Sequence, residues 1–256
     1  MRWKRRARWL FCIGSALLII SFGALISLYL MNVRATPSPS PNADFFGLER
    51  SMDTSNDEDD GFSTVDWDYW KQTNPDIVGW VNIEGTNIDH PIMRAPLDDP
   101  TFYLHHDIYR NYSVYGVPYL DTNNTQSDLL TLNAIIYGHH MDNGSMFSDF
   151  ASYNDEAYAR EHATVYLQTP AGKQRLSVAY VCIIDGDTAE KRIQFADEEA
   201  FQTWYEEQRS NACVVLDEEH LPPYVVTFCT CSYHRFSNER TLVVCIPEDA
   251  IMRDQA

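Results

Sequence analysis

From residue 78 onward the apolar residues fall in short runs broken by turn signals, and this most restricts what the chain can fold into. Runs of that length bounded by Gly, Pro, Asn and Asp are strands, and there are many of them. VGWVNI at 78–83 reads as one strand, EGT at 84–86 as a turn and IDHPIM at 88–93 as its partner. Residues 115–120 and 134–137 are further short strands. Residues 163–169 and 175–184, separated by Pro170, Ala171, Gly172 and Lys173, form a hairpin, and two more strands run over 224–231 and 241–245. Helical signals are few. DWDYWKQ at 66–72 is amphipathic and stopped by Asn74 and Pro75. Residues 198–211 start acidic and set Phe201, Trp204 and Tyr205 on one face. The expected fold is mainly β, a closed or nearly closed β-barrel with an N-terminal helix and a helix between the late strands. No internal repeat is evident.

Upstream, the chain changes character. Arg2, Lys4, Arg5, Arg6 and Arg8 form a basic head over 1–8, and residues 9–31 carry no charge. As a helix this stretch would span roughly 35 Å, enough to cross a bilayer core. The basic head is expected to stay in the cytoplasm, which makes everything downstream extracellular on a single-pass anchor. A cleaved signal peptide ending near Val33, Arg34 and Ala35 is the competing reading, but its apolar core is usually only about 7 to 15 residues. A Pro/Ser run and then an acidic run follow, so residues 32–62 read as a stalk that cannot fold alone. Residues 63–256 are left for one globular domain.

Charge narrows the partners. The chain has 19 Lys and Arg against 37 Asp and Glu, a formal net charge of −18. With the five cations of the head set aside, the exported part is near −23, so nucleic acid is not an expected partner. Of the six cysteines, Cys12 lies in the apolar stretch, leaving Cys182, Cys213, Cys229, Cys231 and Cys245 outside. An odd number leaves at least one thiol unpaired within the chain. Cys229 and Cys231 share a strand face and are poorly placed to bridge each other.

Cys231 ends the apolar strand that carries TFCTC at 227–231, and Arg240 opens the next strand. Paired as a hairpin, these strands bring a thiol and a guanidinium side by side. A cation there favours thiolate and can bind a developing oxyanion. A proton carrier is still needed, and His139, just past an apolar strand and Gly138, is the candidate. Together His139, Cys231 and Arg240 suit covalent acyl transfer. His90, His105, His106, His140 and His234 are read as structural, and Cys182 and Cys245 as small buried hydrophobes.

The stretch IIYGHHM at 135–141, continuing through GSMF at 144–147, resembles the histidine motif of class B sortases. TFCTC resembles that family's Thr-Leu-X-Thr-Cys signature, with Phe228 in place of the usual Leu, and Arg240 leads into an apolar strand as the family's arginine does. NPDIVGW at 74–80, YLHHD at 103–107 and the helix after Ile193 extend the likeness over roughly 65–248. The resemblance implies a sortase-type barrel and a membrane-anchored cysteine transpeptidase of a Gram-positive cell surface. Cys231 is then the nucleophile on the threonine carbonyl of a C-terminal sorting signal in an exported protein, His139 the proton carrier and Arg240 the oxyanion donor. A lipid-linked peptidoglycan precursor amine is the acceptor, or alternatively a pilin lysine. No cofactor or metal is implied, and no calcium loop is visible.

Other readings remain open. A papain-type protease expects its cysteine before its histidine, the reverse of the order here, whereas a hydrolysis-only surface peptidase is compatible with the residues. Zinc on Cys229, Cys231, His139 and His140 lacks the second paired motif of a structural site. A passive surface-binding ectodomain fits the anchor and the acidity.

Overall fold

Asp66 starts the first helix by accepting a hydrogen bond from the Tyr69 amide, capping α1 (Trp67–Thr73). The computed structural model describes residues 60–124, 131–186, 191–234 and 238–248. The basic head, the apolar stretch and most of the stalk lie outside the described residues. Among those described, no helix is long and apolar enough to cross a membrane. Pro75 follows α1, and Asn74 turns its amide inward to donate to the Tyr103 hydroxyl and the Ile108 carbonyl, both at 2.8 Å.

The strands follow in chain order: β1 (Ile77–Asn82), β2 (Asp89–Arg94), β3 (Tyr119–Leu120), β4 (Asn133–Tyr137), β5 (Thr164–Thr169), β6 (Gly172–Asp185), β7 (Val214–Val215), β8 (Val225–Cys231) and β9 (Glu239–Pro247). They are hydrogen-bonded in the order β5-β1-β2-β3-β4-β8-β9-β6-β7, and β5 also pairs with β6. That extra pairing closes eight strands into a barrel, with β7 on its outside edge. Most neighbours are antiparallel, but β2–β3 and β4–β8 are parallel.

Side-chain alternation divides the packing in two. Val81, Ile92, Ile136, Leu167, Val178, Phe228 and Val243 point inward and fill the barrel. The outward residues of β4, β6, β8 and β9 pack beneath α3 (Glu198–Ser210) through Phe201, Trp204 and Tyr205. Those of β1 and β2 pack beneath α1. A 3-10 segment, Ser148–Asn154, leads into α2 (Glu156–Glu161) and sends Phe150 and Tyr153 into the interior. Phe150 stacks on Phe228 with centroids 4.9 Å apart.

Several elements differ from the sequence expectation. The strand expected over 115–120 shrinks to Tyr119–Leu120, because Gly116 takes a left-handed φ of 57° and Pro118 has no amide to offer a ladder. The hairpin turn is tighter than the four residues expected, since Thr169 already pairs with Gly172. The 3-10 segment and α2 have no counterpart in the sequence reading.

Candidate active site

The last rungs of β4, β8 and β9 assemble the site. These strands are consecutive in the sheet, with β8 in the middle. On one side Cys231 pairs in register with Arg240. On the other, the parallel register ends with Tyr137 opposite Cys229. The Gly138 amide donates to the Cys229 carbonyl at 3.1 Å, and the Thr230 hydroxyl donates to the Gly138 carbonyl at 2.9 Å. Inward residues at 136, 228 and 243 fix the alternation, so positions 139, 231 and 240 share the outer face in one row. Adjacent strands lie about 4.8 Å apart, which makes the sulfur the middle member of that row. Of the three residues singled out from sequence, Cys231 and Arg240 pair directly, and His139 follows two residues past the end of the neighbouring strand.

Gly138 is what lets the histidine strand lie so close. A Cβ there would point inward and fall 2.4 Å from the Phe147 ring, which is buried against the barrel core. Gly138→Ala is therefore expected to lower stability by about 1–3 kcal/mol through overpacking and to push residue 139 off its row. Urea unfolding measures the first effect, and the loss of acyl transfer in the still-folded variant measures the second.

His139 is held by a backbone carbonyl. Its Nε2 lies 2.8 Å from the Leu104 oxygen, and because a carbonyl can only accept, Nε2 carries the hydrogen. Burial lowers the imidazole pKa below its ordinary value, and the neighbouring His105 pushes the same way. The Leu104 hydrogen bond opposes both. The neutral ring is favoured, with Nδ1 as its open basic atom. His105 stands with its ring 6.0 Å from that of His139.

The two thiols of β8 are chemically distinct. Cys229 is buried beneath the outer cluster, and burial pushes its thiol up to about 12, against the pull of Lys191 and Arg240. It is a neutral packing group. Cys231, one pleat on, is half-buried at the strand end. Arg240 turns one guanidinium nitrogen to the Glu239 carbonyl at 2.9 Å and passes over Gly186, where a Cβ would lie 3.2 Å from Cζ.

The remaining histidines make local structural bonds. His90 is buried in the barrel, where desolvation lowers its pKa. His106 stacks on Phe102 and bonds its carbonyl, and His234 donates to the Ala151 carbonyl. His140 does more: its Nδ1 lies 2.9 Å from the Cys231 carbonyl oxygen, so it braces the backbone at Cys231. Among the described residues no group of three or more His, Cys, Asp or Glu could hold a metal ion.

Sequence reasoning missed the aromatic wall beside this row. Tyr137 donates to Asp121 at 2.8 Å and lies 5.5 Å from Tyr119, and burial raises both phenols. The available signal was period two, which sets Tyr137 on the same face as His139.

Known proteins resemble this chain in sequence and in fold. No family model matches it. A stretch of 94 residues is 39% identical to sortase B of Listeria monocytogenes, covering 37% of this chain and 37% of that relative. Over 175 residues the chain is 23% identical to sortase B of Staphylococcus aureus, covering 68% and 70% of the two. The S. aureus protein, solved as a sortase B–substrate complex, superposes with a TM-score of 0.63 over 70% of this chain and 83% of that one. Sortase B of Clostridium perfringens superposes with a TM-score of 0.65 at 29% identity, covering 70% of this chain and 98% of its own. Sequence relatives and solved folds agree on class B sortases as what this chain is similar to.

Proposed function

We propose that the protein is a membrane-anchored cysteine transpeptidase that joins exported proteins to a cell-surface amine. The observation that carries the reading is the register pairing of Cys231 with Arg240, with residue 139 one strand away on the same face. The Cys231 thiolate attacks the carbonyl carbon of the threonine in a C-terminal sorting signal. Arg240 donates hydrogen bonds to the oxyanion as it forms. His139 Nδ1 takes the thiol proton as Cys231 ionises and gives it to the departing amine, the C–N bond breaks, and a thioester remains on Cys231. An acceptor amine then loses a proton to the same imidazole as it attacks the thioester, and the sulfur leaves. Likeness to the substrate-bound S. aureus relative supports an extended peptide as the ligand.

The acceptor in this reading is a lipid-linked peptidoglycan precursor. Residues 9–31 would hold the enzyme on the membrane that carries both the sorting signal's tail and the lipid-linked acceptor. Confinement to one surface raises the effective concentration of all three. Residues 32–62 would set the height of the site above the lipid.

The test incubates the full-length chain with a library of threonine-containing sorting peptides, with and without added oligoglycine or diaminopimelyl amines. A thioester mass on Cys231 and an amine-dependent ligated product are expected. Hydrolysis at the same rate with and without amine would overturn transfer, and no adduct on Cys231 would overturn covalent catalysis.

A further inference from the structure

Beyond His139 the row of side chains is carried on by two exposed rings. Leu104, whose carbonyl holds His139, opens onto a small hairpin over residues 105–113. Ser113 donates its amide to the His105 carbonyl and Asp107 to that of Asn111, both at 2.9 Å, with His106 bridged to Tyr112 between them. The hairpin is firmly held. The Asp107 carboxylate accepts the Tyr109 and Asn111 amides at 2.9 Å, and Arg110, at a left-handed φ of 64°, reaches back to Asp76 at 2.7 Å. What it displays outward is aromatic. His105 is exposed, and Tyr112, 70% exposed, stacks on it with centroids 6.5 Å apart. Tyr112 belongs to none of the apolar clusters of the fold. The His105 ring in turn lies 6.0 Å from that of His139. The hairpin leads on to β3, which flanks β4 on the edge opposite β8, so these rings extend from His139 away from Cys231.

We propose that the His105–Tyr112 pair is an extended acceptor subsite, a platform on which the peptide behind the incoming amine lies while that amine attacks at Cys231. This rests on the transfer reaction of the proposed function. Transfer puts the attacking nitrogen between the thioester carbon and His139 Nδ1. The sulfur holds the acyl chain, so the remainder of the acceptor runs out past His139, along the rings. From His139 to Tyr112 the ring centroids span at most about 12 Å, which an extended chain covers in roughly three to four residues. A flat ring with a free face offers an amide plane dispersion contact and an N–H···π partner without reading any side chain. The segment cut from the sorting signal crosses the same ground, but holding it tightly would delay its release. The acceptor has no covalent tie to the enzyme and gains most from a second hold.

The full-length chain, loaded at Cys231 with N-acetylthreonine phenyl thioester, tests this without a sorting peptide. The sulfur attacks the threonine carbonyl, a C–S bond to Cys231 forms and thiophenolate leaves. Mass spectrometry then follows decay of the acyl-enzyme in glycinamide, which is too short to reach Tyr112, and in tetraglycine, which is long enough. Tyr112→Ala is expected to lower the second-order rate constant for tetraglycine about fivefold, and to leave glycinamide and water within about twofold of the parent. Tyr112→Phe keeps the ring and is expected to match the parent with all three. Two results overturn the proposal: parental use of tetraglycine by Tyr112→Ala, or equal slowing with all three, which would mark a disturbance of His139 rather than a lost hold. If the loaded parent decays equally with and without either amine, the transpeptidase reading fails. Calorimetric titration of the parent and Tyr112→Ala chains with tetraglycine then decides the subsite by itself: binding about fivefold weaker in the variant upholds it, and equal or absent binding overturns it.

Discussion

Cys231→Ala is expected to yield a folded chain that forms no thioester and transfers no acyl group, a loss of about 10⁴-fold or more. The size follows from the absence of a substitute. Cys229, the nearest other thiol on the strand, is buried and held protonated up to about 12, so it cannot take over at neutral pH. Stability should change by no more than about 0.5 kcal/mol, since Cys231 is half-exposed and its carbonyl bond to His140 survives the substitution. Arg240→Ala is the graded companion. Removing one oxyanion donor typically costs about 10²–10³ in rate, so a residual rate should remain. Mass spectrometry of trapped intermediates and circular dichroism melts separate these outcomes. Parental transfer by the Cys231 variant would end the mechanism.

The largest structural effect is expected at Phe228. It is fully buried, stacks on Phe150 at 4.9 Å and meets Phe147 edge-on at 5.9 Å. Phe228→Ala removes an aromatic from the middle of the barrel and should cost about 3–5 kcal/mol, read as a fall in the urea midpoint. Phe228→Leu keeps an apolar side chain of nearly matching volume. It should cost less than about 1.5 kcal/mol. The same substitution reports on the site, because Phe228 is the inward anchor of the strand that aims Cys231 outward. The alanine variant should lose transfer activity below its melting transition, and the leucine variant should keep it. Equal stability of the two variants would mean that the Phe147–Phe150–Phe228 cluster carries little of the fold.

Some of this was legible in the sequence, and the boundary is physical. Antiparallel neighbours joined by short turns announce themselves through period two and turn residues, so the β1–β2 and β5–β6 hairpins were readable, as was the closeness of Cys231 and Arg240. The short helix near Asp66 and the acidic start of α3 were readable for local reasons too. The parallel pairing of β4 with β8 was not, because parallel partners are joined by long crossovers that leave no local mark. The placement of His139 beside Cys231 therefore rested on motif resemblance. Leu104 was invisible as a partner because it contributes only a carbonyl.

The bond between His139 Nε2 and the Leu104 oxygen carries one more consequence. With that nitrogen committed, a single ring atom is left to serve as the port for every proton, outgoing or incoming. In the proposed reaction, the severed tail of the sorting signal and the newcomer that replaces it would therefore queue for the same berth. The enzyme has to discharge the first before it can dock the second, which is the double-displacement order that parallel reciprocal-rate plots would reveal.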